Sequence, residues 1–548
     1  AAWWLQHHSL AIYPTWYWNP AASYSPLSGS AFIAWLMAPM GDDVLARFVQ
    51  MPALLLLFCL VARFCRVAGC SRATSAWIAV AAAMARPFFS ETLIPKDDLF
   101  VAAFLGAAVL SAASDNLRDR IGPWRCGVAL GMVVASKYTV LLACPVLLFL
   151  IDAPVRARWK AWKWGAALGT AAVLAGGWYL RNWIRFSDPL FPVDVNLLGH
   201  RIFTGLFGTE RDVQLQSAGG VRRMIASTYY SLPWPLIGLL AVGWAAALID
   251  GIRTGSAWRD PLRRACVLGA PATLGLFLLT SPHHEVRYLD PLLLLFFACT
   301  GMAIAGWLGQ SRGAGIAAGI LAAASIATSF AWEAERQTLP IIAWALATAT
   351  IVGAIAWARP SRRVLIGGAG ALALVLLSVM YVFWDSYLGT YESLRVPIWG
   401  QEQNYPQFAG AWGAVDDLPP GQTVAYANTY LVYPLYDFRL RRRVVYAPVR
   451  RGMHDFEQLP RLGDRVPGDQ IVQTMTRVMD ADADLGTWHV NLAASGADYL
   501  MVVKNGADAG LDLHPPELRW AQADPGHFEP VFEDANTVLY RIHYTNRW

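Results

Sequence analysis

Runs of about 20 apolar residues, the length a bilayer helix needs, recur between positions 45 and 384. They predict membrane helices at 45–62, 74–90, 97–113, 162–180, 234–250, 266–280, 289–308, 314–330, 339–358 and 364–384. The apolar stretch 126–151 is too long for one span and carries Lys137 and Tyr138 in its middle, so two short helices meeting at that pair are expected. Beyond residue 384 the apolar runs stop. The remainder is polar, Pro-rich and mixed in charge. Within it, 423–426, 444–446, 499–503 and 538–542 are β-branched or aromatic runs bounded by turn residues, which predicts strands; 408–415 and 471–479 read as helices. The expected architecture is a polytopic α-helical membrane protein of about 11–12 membrane helices. Residues 1–384 form its membrane part and 385–548 a C-terminal α/β domain.

Composition agrees with that pattern. The 548 residues are 56% hydrophobic and 15% charged, with a mean hydropathy of +0.36, whereas soluble domains carry about 25% charged residues. The 25 Trp and 20 Tyr suit a protein with two membrane–water interfaces, where amphipathic rings collect. The net charge of +5 is no sign of nucleic-acid binding, because the Lys and Arg residues sit in short loops between apolar runs. None of the seven Cys falls in the C-terminal part, and their spacing matches neither a paired metal motif nor a disulfide framework; small buried apolar residues is the default reading.

Charge also orients the chain. The loops 63–72, 117–125, 156–163, 253–264 and 359–363 are basic, which makes them cytoplasmic by the positive-inside rule. Segments 1–43, 86–96, the turn at Lys137, 181–233, 281–288 and 333–338 then face the other side, as does the C-terminal domain. The alternation closes only if 126–151 is a hairpin. The expected location is the plasma (inner) membrane, and the Ala/Gly/Arg-rich composition suggests a bacterium.

Polar groups near membrane depth default to functional hypotheses, and four clusters lie on that external side. In IPKDDLF (94–100), Asp97 and Asp98 begin a helix beside Lys96. Capping at the positive helix end accounts for one carboxylate but not for the second. The opening segment 3–40 is aromatic, holding His7, His8, Trp16, Tyr17, Trp18 and Tyr24; an amphipathic helix in the interface fits, and such rings also stack on sugars. In YLRNWIRFSDPLFP (179–192), Arg181 and Arg185 are placed just outside a helix end. They either snorkel to headgroups or clamp a phosphate. In SPHHEVRYLD (281–290), His283, His284, Glu285 and Arg287 share a short loop. Adjacent His residues rarely converge on one ion, so Arg287 contacting a phosphate, with His283 or Glu285 nearby, is preferred to a metal site. A solvated loop is the bland alternative.

At these residues the sequence resembles the GT-C superfamily of membrane glycosyltransferases, in particular the bacterial branch of family 39, the dolichyl-phosphate-mannose–protein mannosyltransferase-like proteins. The likeness is carried by Trp4-Leu5-Gln6, Lys96-Asp97-Asp98-Leu99, the Gly-rich 127–142 ending in Ser136-Lys137-Tyr138-Thr139, Arg181-Asn182-Trp183 through Asp188-Pro189-Leu190-Phe191-Pro192, and Arg287-Tyr288. Ser187-Asp188 stands where Gly-Asn is usual. The tail, with Tyr433-Pro434-Leu435-Tyr436, resembles the extracytoplasmic domains that follow such bundles. The resemblance implies an inverting sugar transfer from a polyprenyl-phosphate donor to a glycan, lipid or protein acceptor at the bilayer surface, with no nucleic acid involved. It makes Asp98, with Asp97 as rival, the catalytic candidate, and Lys96, Lys137, Arg181, His283, Glu285 and Arg287 contacts to donor phosphate or sugar. No cofactor is assigned; whether a divalent metal takes part is left open. The family's usual base, an Asp of the first external loop, has no counterpart before Asp42 and is expected upstream of Ala1. The competing readings are a transporter or flippase for a lipid-linked or anionic substrate, and a non-catalytic membrane scaffold with an external binding domain.

Overall fold

A computed structural model describes residues 1–10, 24, 26–39, 41, 45–92, 96–113, 121–150, 161–191, 193, 195–197, 200–203, 234–280, 286–334, 406–429, 431–437, 440–450, 483–504 and 515–544. The expected spans at 339–358 and 364–384, the helix at 471–479, and His283, His284, Glu285, Asp42 and Asp43 lie outside the described residues.

The first part of the chain is helical. In order come α1 (Ala2–His7), α2 (Ser28–Met37), α3 (Met51–Val67), α4 (Arg72–Ala83), α5 (Arg86–Glu91), α6 (Asp98–Ala113), α7 (Gly122–Ser136), α8 (Cys144–Leu148), α9 (Ala161–Phe186), α10 (Trp234–Thr254), α11 (Ala270–Thr280), α12 (Asp290–Leu308) and α13 (Arg312–Ala334). The expected span 74–90 is broken between α4 and α5 at Met84 and Ala85, ahead of Pro87, which occupies the first turn of α5. Among the described residues, Pro235–Thr254 and Asp290–Leu308 are long and apolar enough to cross a membrane; Ser28–Met37, Asp98–Ala113 and Arg312–Ile326 are apolar but shorter.

The bundle core is built by α3, α4, α6, α10, α12 and α13, with Leu57, Phe64, Ile78, Leu99, Leu294 and Phe297 fully buried. Helices α7 and α9 approach closely through glycine. A Cβ at Gly127 would land on the Ala167 carbonyl, and one at Gly131 would meet Ala171 and Leu174. The outward side of α9 is apolar instead of polar, with Val173 82% and Ile184 74% exposed. A water-facing helix would show the opposite pattern.

Helix α9 ends later than the sequence suggested. Arg181 and Arg185 are not outside a helix end but within the last turns of α9, which runs on to Phe186. No Gly or Pro interrupts those turns before Pro189, and cations are favoured at a helix C-terminus. The break expected at Lys137 is present. Helix α7 stops at Ser136, Lys137 is extended (φ −150°, ψ 142°), and a 3-10 turn (Tyr138–Ala143) leads into α8.

Polar residues segregate to the two ends of the bundle. At one end Arg263 pairs with Asp250 at 2.5 Å, Arg253 lies over the Trp307 ring at 4.9 Å, and Arg264 donates to the Phe149 and Trp258 carbonyls, each at 2.7 Å. The other end holds Asp97, Asp98, Lys137 and Tyr288.

The later residues build a five-stranded sheet ordered β4-β3-β5-β7-β6. Its strands are β3 (Thr423–Ala427), β4 (Arg443–Tyr446), β5 (Tyr499–Val503), β6 (Phe528–Glu533) and β7 (Thr537–Ile542); a small hairpin, β1 (Val195–Leu197) and β2 (His200–Phe203), precedes them. Strands β4, β3 and β5 are parallel, while β7 and β6 add antiparallel. One face of the sheet, with Ala425, Leu500, Val502 and Tyr540, packs on α15 (Leu485–Ser495) and α16 (Pro516–Ala523) through Trp488, Leu492 and Leu518. The other face, with Val424, Tyr426, Tyr499 and Met501, joins α14 (Ala409–Asp416) and continues into a cluster containing Tyr24, Ile33, Met37 and Phe191. The N-terminal segment therefore lies between bundle and sheet. Gln6 Nε2 fixes it, donating to the carbonyls of Leu440 (3.0 Å) and Arg442 (2.6 Å).

Candidate functional site

Three candidates separated in sequence meet at one end of the bundle. The Lys137 ammonium, carried by the kink after α7, lies 3.1 Å from Asp97 Oδ1 and hydrogen-bonds Asp98 Oδ1. Its other neighbour is the Tyr288 ring, 5.7 Å to the centroid. Asp98 is 3% exposed, and its Oδ2 has no hydrogen-bond partner among the described residues. One ammonium between two carboxylates leaves the trio with a formal charge of −1. A buried charge is costly unless paired, so the trio holds Lys137 in place and keeps Asp98 short of full satisfaction.

A cavity of about 30 Å³, room for one water-sized group, adjoins the trio. Asp98, Lys137, Thr273 and Tyr288 give it a polar side, and Val101, Phe277 and Leu292 an apolar one. Thr273 Oγ1, 4% exposed at residue level, is a second buried atom there without a partner among the described residues.

The helix start that presents the acidic pair is held from a distance. The first amides of a helix lack intrahelical acceptors. Leu99 N–H donates to Gln50 Oε1 at 2.8 Å, and Gln50 Nε2 donates to the Glu91 carbonyl at 2.7 Å. Gln50 thus serves the Leu99 amide, while both carboxylates pair with Lys137 at the start of α6. Gly29 of α2 lies against Asp97 so closely that a Cβ there would land on the carboxylate.

A second network begins one residue on. Tyr138 Oη lies within donating distance of the carbonyls of Tyr24 (2.9 Å) and Phe191 (2.5 Å), which share its one hydrogen. Asn182 Nδ2 donates to the same two carbonyls at 2.9 and 3.0 Å. Arg181 donates to Tyr24 O (2.9 Å) and to Asn182 Oδ1 (3.1 Å through Nε, 3.0 Å through Nη2) and stacks over Trp178 at 5.2 Å. All of these partners are neutral, and no carboxylate among the described residues pairs with Arg181. Lys96 is paired with Glu91 at 3.6 Å. Arg287 belongs to the 3-10 turn Val286–Leu289 that opens α12.

The structure thus unites Asp97, Asp98 and Lys137, sets Arg181 in the adjoining network, and leaves Lys96 on its own pair. Gln50, Asn182, Tyr24, Gly29 and Thr273 were not among the expected site residues. Asn182 lies inside the RNW motif that sequence reasoning singles out, and Gln50 is a polar residue at the head of the apolar run 51–62. Thr273 carries no signal within its apolar run. Among the described residues no group of three His, Cys, Asp or Glu side chains gathers as a metal ion would need.

No protein-family model matches the chain, and no curated protein sequence matches it. Its fold is similar to that of a solved structure, ArnT from Cupriavidus metallidurans bound to undecaprenyl phosphate. The two align with a TM-score of 0.50 and 15% identity over 98% of this chain and 91% of that one. The apo state of the same ArnT aligns at a TM-score of 0.42 and 16% identity, over 93% and 86% of the two chains.

Proposed function

We propose that this chain is a multi-pass membrane glycosyltransferase, with a bundle (1–384) followed by an external α/β domain (385–548). In this reading it moves a sugar from a polyprenyl-phosphate donor to an acceptor hydroxyl at the bundle end holding Asp97, Asp98 and Lys137. The observation that carries the reading is Asp98: a buried carboxylate that lines a cavity, anchored through Oδ1 by Lys137, with Oδ2 lacking a partner among the described residues. The fold shared with a protein that binds undecaprenyl phosphate supports a lipid-phosphate ligand.

In the reaction, the acceptor oxygen attacks the anomeric carbon while the bond from that carbon to the phosphate oxygen breaks. The sugar inverts, and polyprenyl phosphate leaves with the electron pair. A carboxylate takes the hydroxyl proton, the ordinary work of a general base. In this reading Asp98 Oδ2, without a partner among the described residues, accepts from that hydroxyl. Lys137 is already shared by two carboxylates, so it sets the acidic pair more than it attracts phosphate. Arg181, with neutral partners only among the described residues, retains its charge for the donor phosphate, which its planar fork suits.

The test is binding of undecaprenyl phosphate to the purified protein, followed by native mass spectrometry in detergent. The wild type is expected to retain the lipid and Arg181→Ala to weaken it by about ten-fold, the order of one lost charge-assisted contact. Equal retention by both would remove Arg181 from the donor site. No binding by either would contradict the reading.

A further inference from the structure

Gln50 is a glutamine with 0% exposure in the bundle interior. Burying an amide is costly unless its hydrogen bonds are made. Gln50 spends both ends of its amide on backbone, accepting from Leu99 N–H at 2.8 Å and donating to the Glu91 carbonyl at 2.7 Å. These two backbone groups flank the segment that carries Lys96, Asp97 and Asp98. One amide thus fixes both sides of the acidic turn.

The chemistry of the helix start makes the choice of partner consequential. Leu99 is the second residue of α6, and its amide is one of the donors a helix leaves unsatisfied. An Asp at such a position ordinarily turns its carboxylate to these amides. Here Gln50 supplies the acceptor, and the carboxylates of Asp97 and Asp98 go to Lys137. Without Gln50 the Leu99 amide is an unpaired buried donor at a helix start, directly preceded by Asp97 and Asp98, the kind of carboxylate that caps such amides.

We infer that Gln50 is a positioning residue: by capping α6 from outside, it keeps Asp98 on Lys137 at the cavity that both residues line. This rests on the transferase reading for its kinetic consequence, but not for its structural one. Gln50→Met keeps the shape and removes both hydrogen bonds. Gln50→Glu has the amide's shape, but only when protonated does its carboxyl offer one donor and one acceptor.

The test has two readouts on the intact protein in lipid. The first is labelling of Lys137 by an amine-reactive reagent, quantified by mass spectrometry with Lys504 as internal reference. Q50M is expected to raise Lys137 labelling about five-fold, because a lysine released from its two carboxylates is no longer held against them and is open to the reagent. The second is sugar transfer. Q50M is expected to lower kcat about 100-fold, the order for a misplaced catalytic group, with donor KM within about two-fold, the uniform binding being intact. Q50E keeps an acceptor for Leu99 N–H at every pH but donates to the Glu91 carbonyl only when protonated, so it is expected to fall between Q50M and wild type at pH 8 and to recover toward wild type as the pH falls to 5. Wild-type labelling of Lys137 in Q50M would overturn the inference whether or not transfer activity is found. So would a Q50E variant whose kcat shows the wild-type pH profile.

Discussion

Arg181 Nη2 donates to the main-chain carbonyl of Tyr24 at 2.9 Å, across 157 residues of sequence. The same oxygen accepts from Tyr138 Oη and Asn182 Nδ2. A carbonyl has two lone pairs, so three donors at one oxygen mark a junction that holds the N-terminal segment, the kink after α7 and the end of α9 together. The junction also connects bundle to sheet, since Tyr24 is buried in the cluster that lies beneath β3, β4 and β5.

Asn182 is the neutral fastener of that junction. In Asn182→Leu the Tyr24 carbonyl keeps Arg181, and the Phe191 carbonyl is left with Tyr138, whose one hydrogen the two carbonyls share; the loss of the amide's hydrogen bonds costs about 0.5–1.5 kcal/mol each. Thermal unfolding in detergent is expected to show a lowered Tm, with Arg181 freed from its Oδ1 partner. An unchanged Tm would mean that Asn182 holds nothing.

Lys137 is expected to be the most sensitive position for stability. Removing one partner of a buried ion pair costs about 3–5 kcal/mol, and Lys137→Met strands two carboxylates at once. Lys137→Met combined with Asp97→Asn and Asp98→Asn removes the stranded charges, so the triple variant is expected to be more stable than the single one. Chemical denaturation in mixed micelles measures both. A triple variant no more stable than K137M would show that the trio is not held by charge.

Gly29 reads as a spacer. Because a Cβ there would land on the Asp97 carboxylate, Gly29→Ala pushes either α2 or Asp97 away from Lys137. The expected result is a loss of sugar transfer of about 10–100-fold, typical of a small displacement at a reacting group, at nearly normal expression. Wild-type turnover in G29A would mean that Asp97 tolerates displacement and has no part in the site.

Gln6 tests the attachment of the sheet. Its amide nitrogen serves the carbonyls of Leu440 and Arg442. Gln6→Ala leaves both without that donor, and local opening around β4 is expected to become easier by about 1–2 kcal/mol. Hydrogen exchange should accelerate in peptides covering 440–446 and not in those covering 537–542. Uniform exchange would contradict a local tether.

Much of this organisation was legible in the sequence because membrane and strand patterns are coarse. The apolar runs located helices α3, α6 and α12. The Lys137–Tyr138 interruption located the kink, because an ammonium is costly in the middle of a span and favours a break that brings it to a polar end. Strands β3, β4, β5 and β7 were visible because they are buried on both faces and read as continuous apolar runs. Strand β6 was not: Phe528–Glu533 is an edge strand with Pro530 at an irregularity, which is where strands admit proline and lose their pattern. Helix α15 has its own signals, with Asp484 capping Thr487 N–H and Gly496 left-handed at its end, but the apolar spacing points to a helix upstream of it. In the site, charged residues announced themselves and the RNW motif marked Asn182, while Gln50 and Gly29 gave no signal. Their roles depend on neighbours 40 or more residues away, and no local pattern encodes that.

The central claim is sugar transfer at the Asp98 end of the bundle. Its most direct measurement uses the protein reconstituted in liposomes with a radiolabelled polyprenyl-phosphate sugar. Release of free polyprenyl phosphate is followed together with label appearing on an acceptor. The account predicts release and transfer in step by the wild type, and a fall of at least about 100-fold in Asp98→Asn, with donor binding retained. Full activity in D98N, or tight donor binding with no transfer to any hydroxyl acceptor, would contradict it.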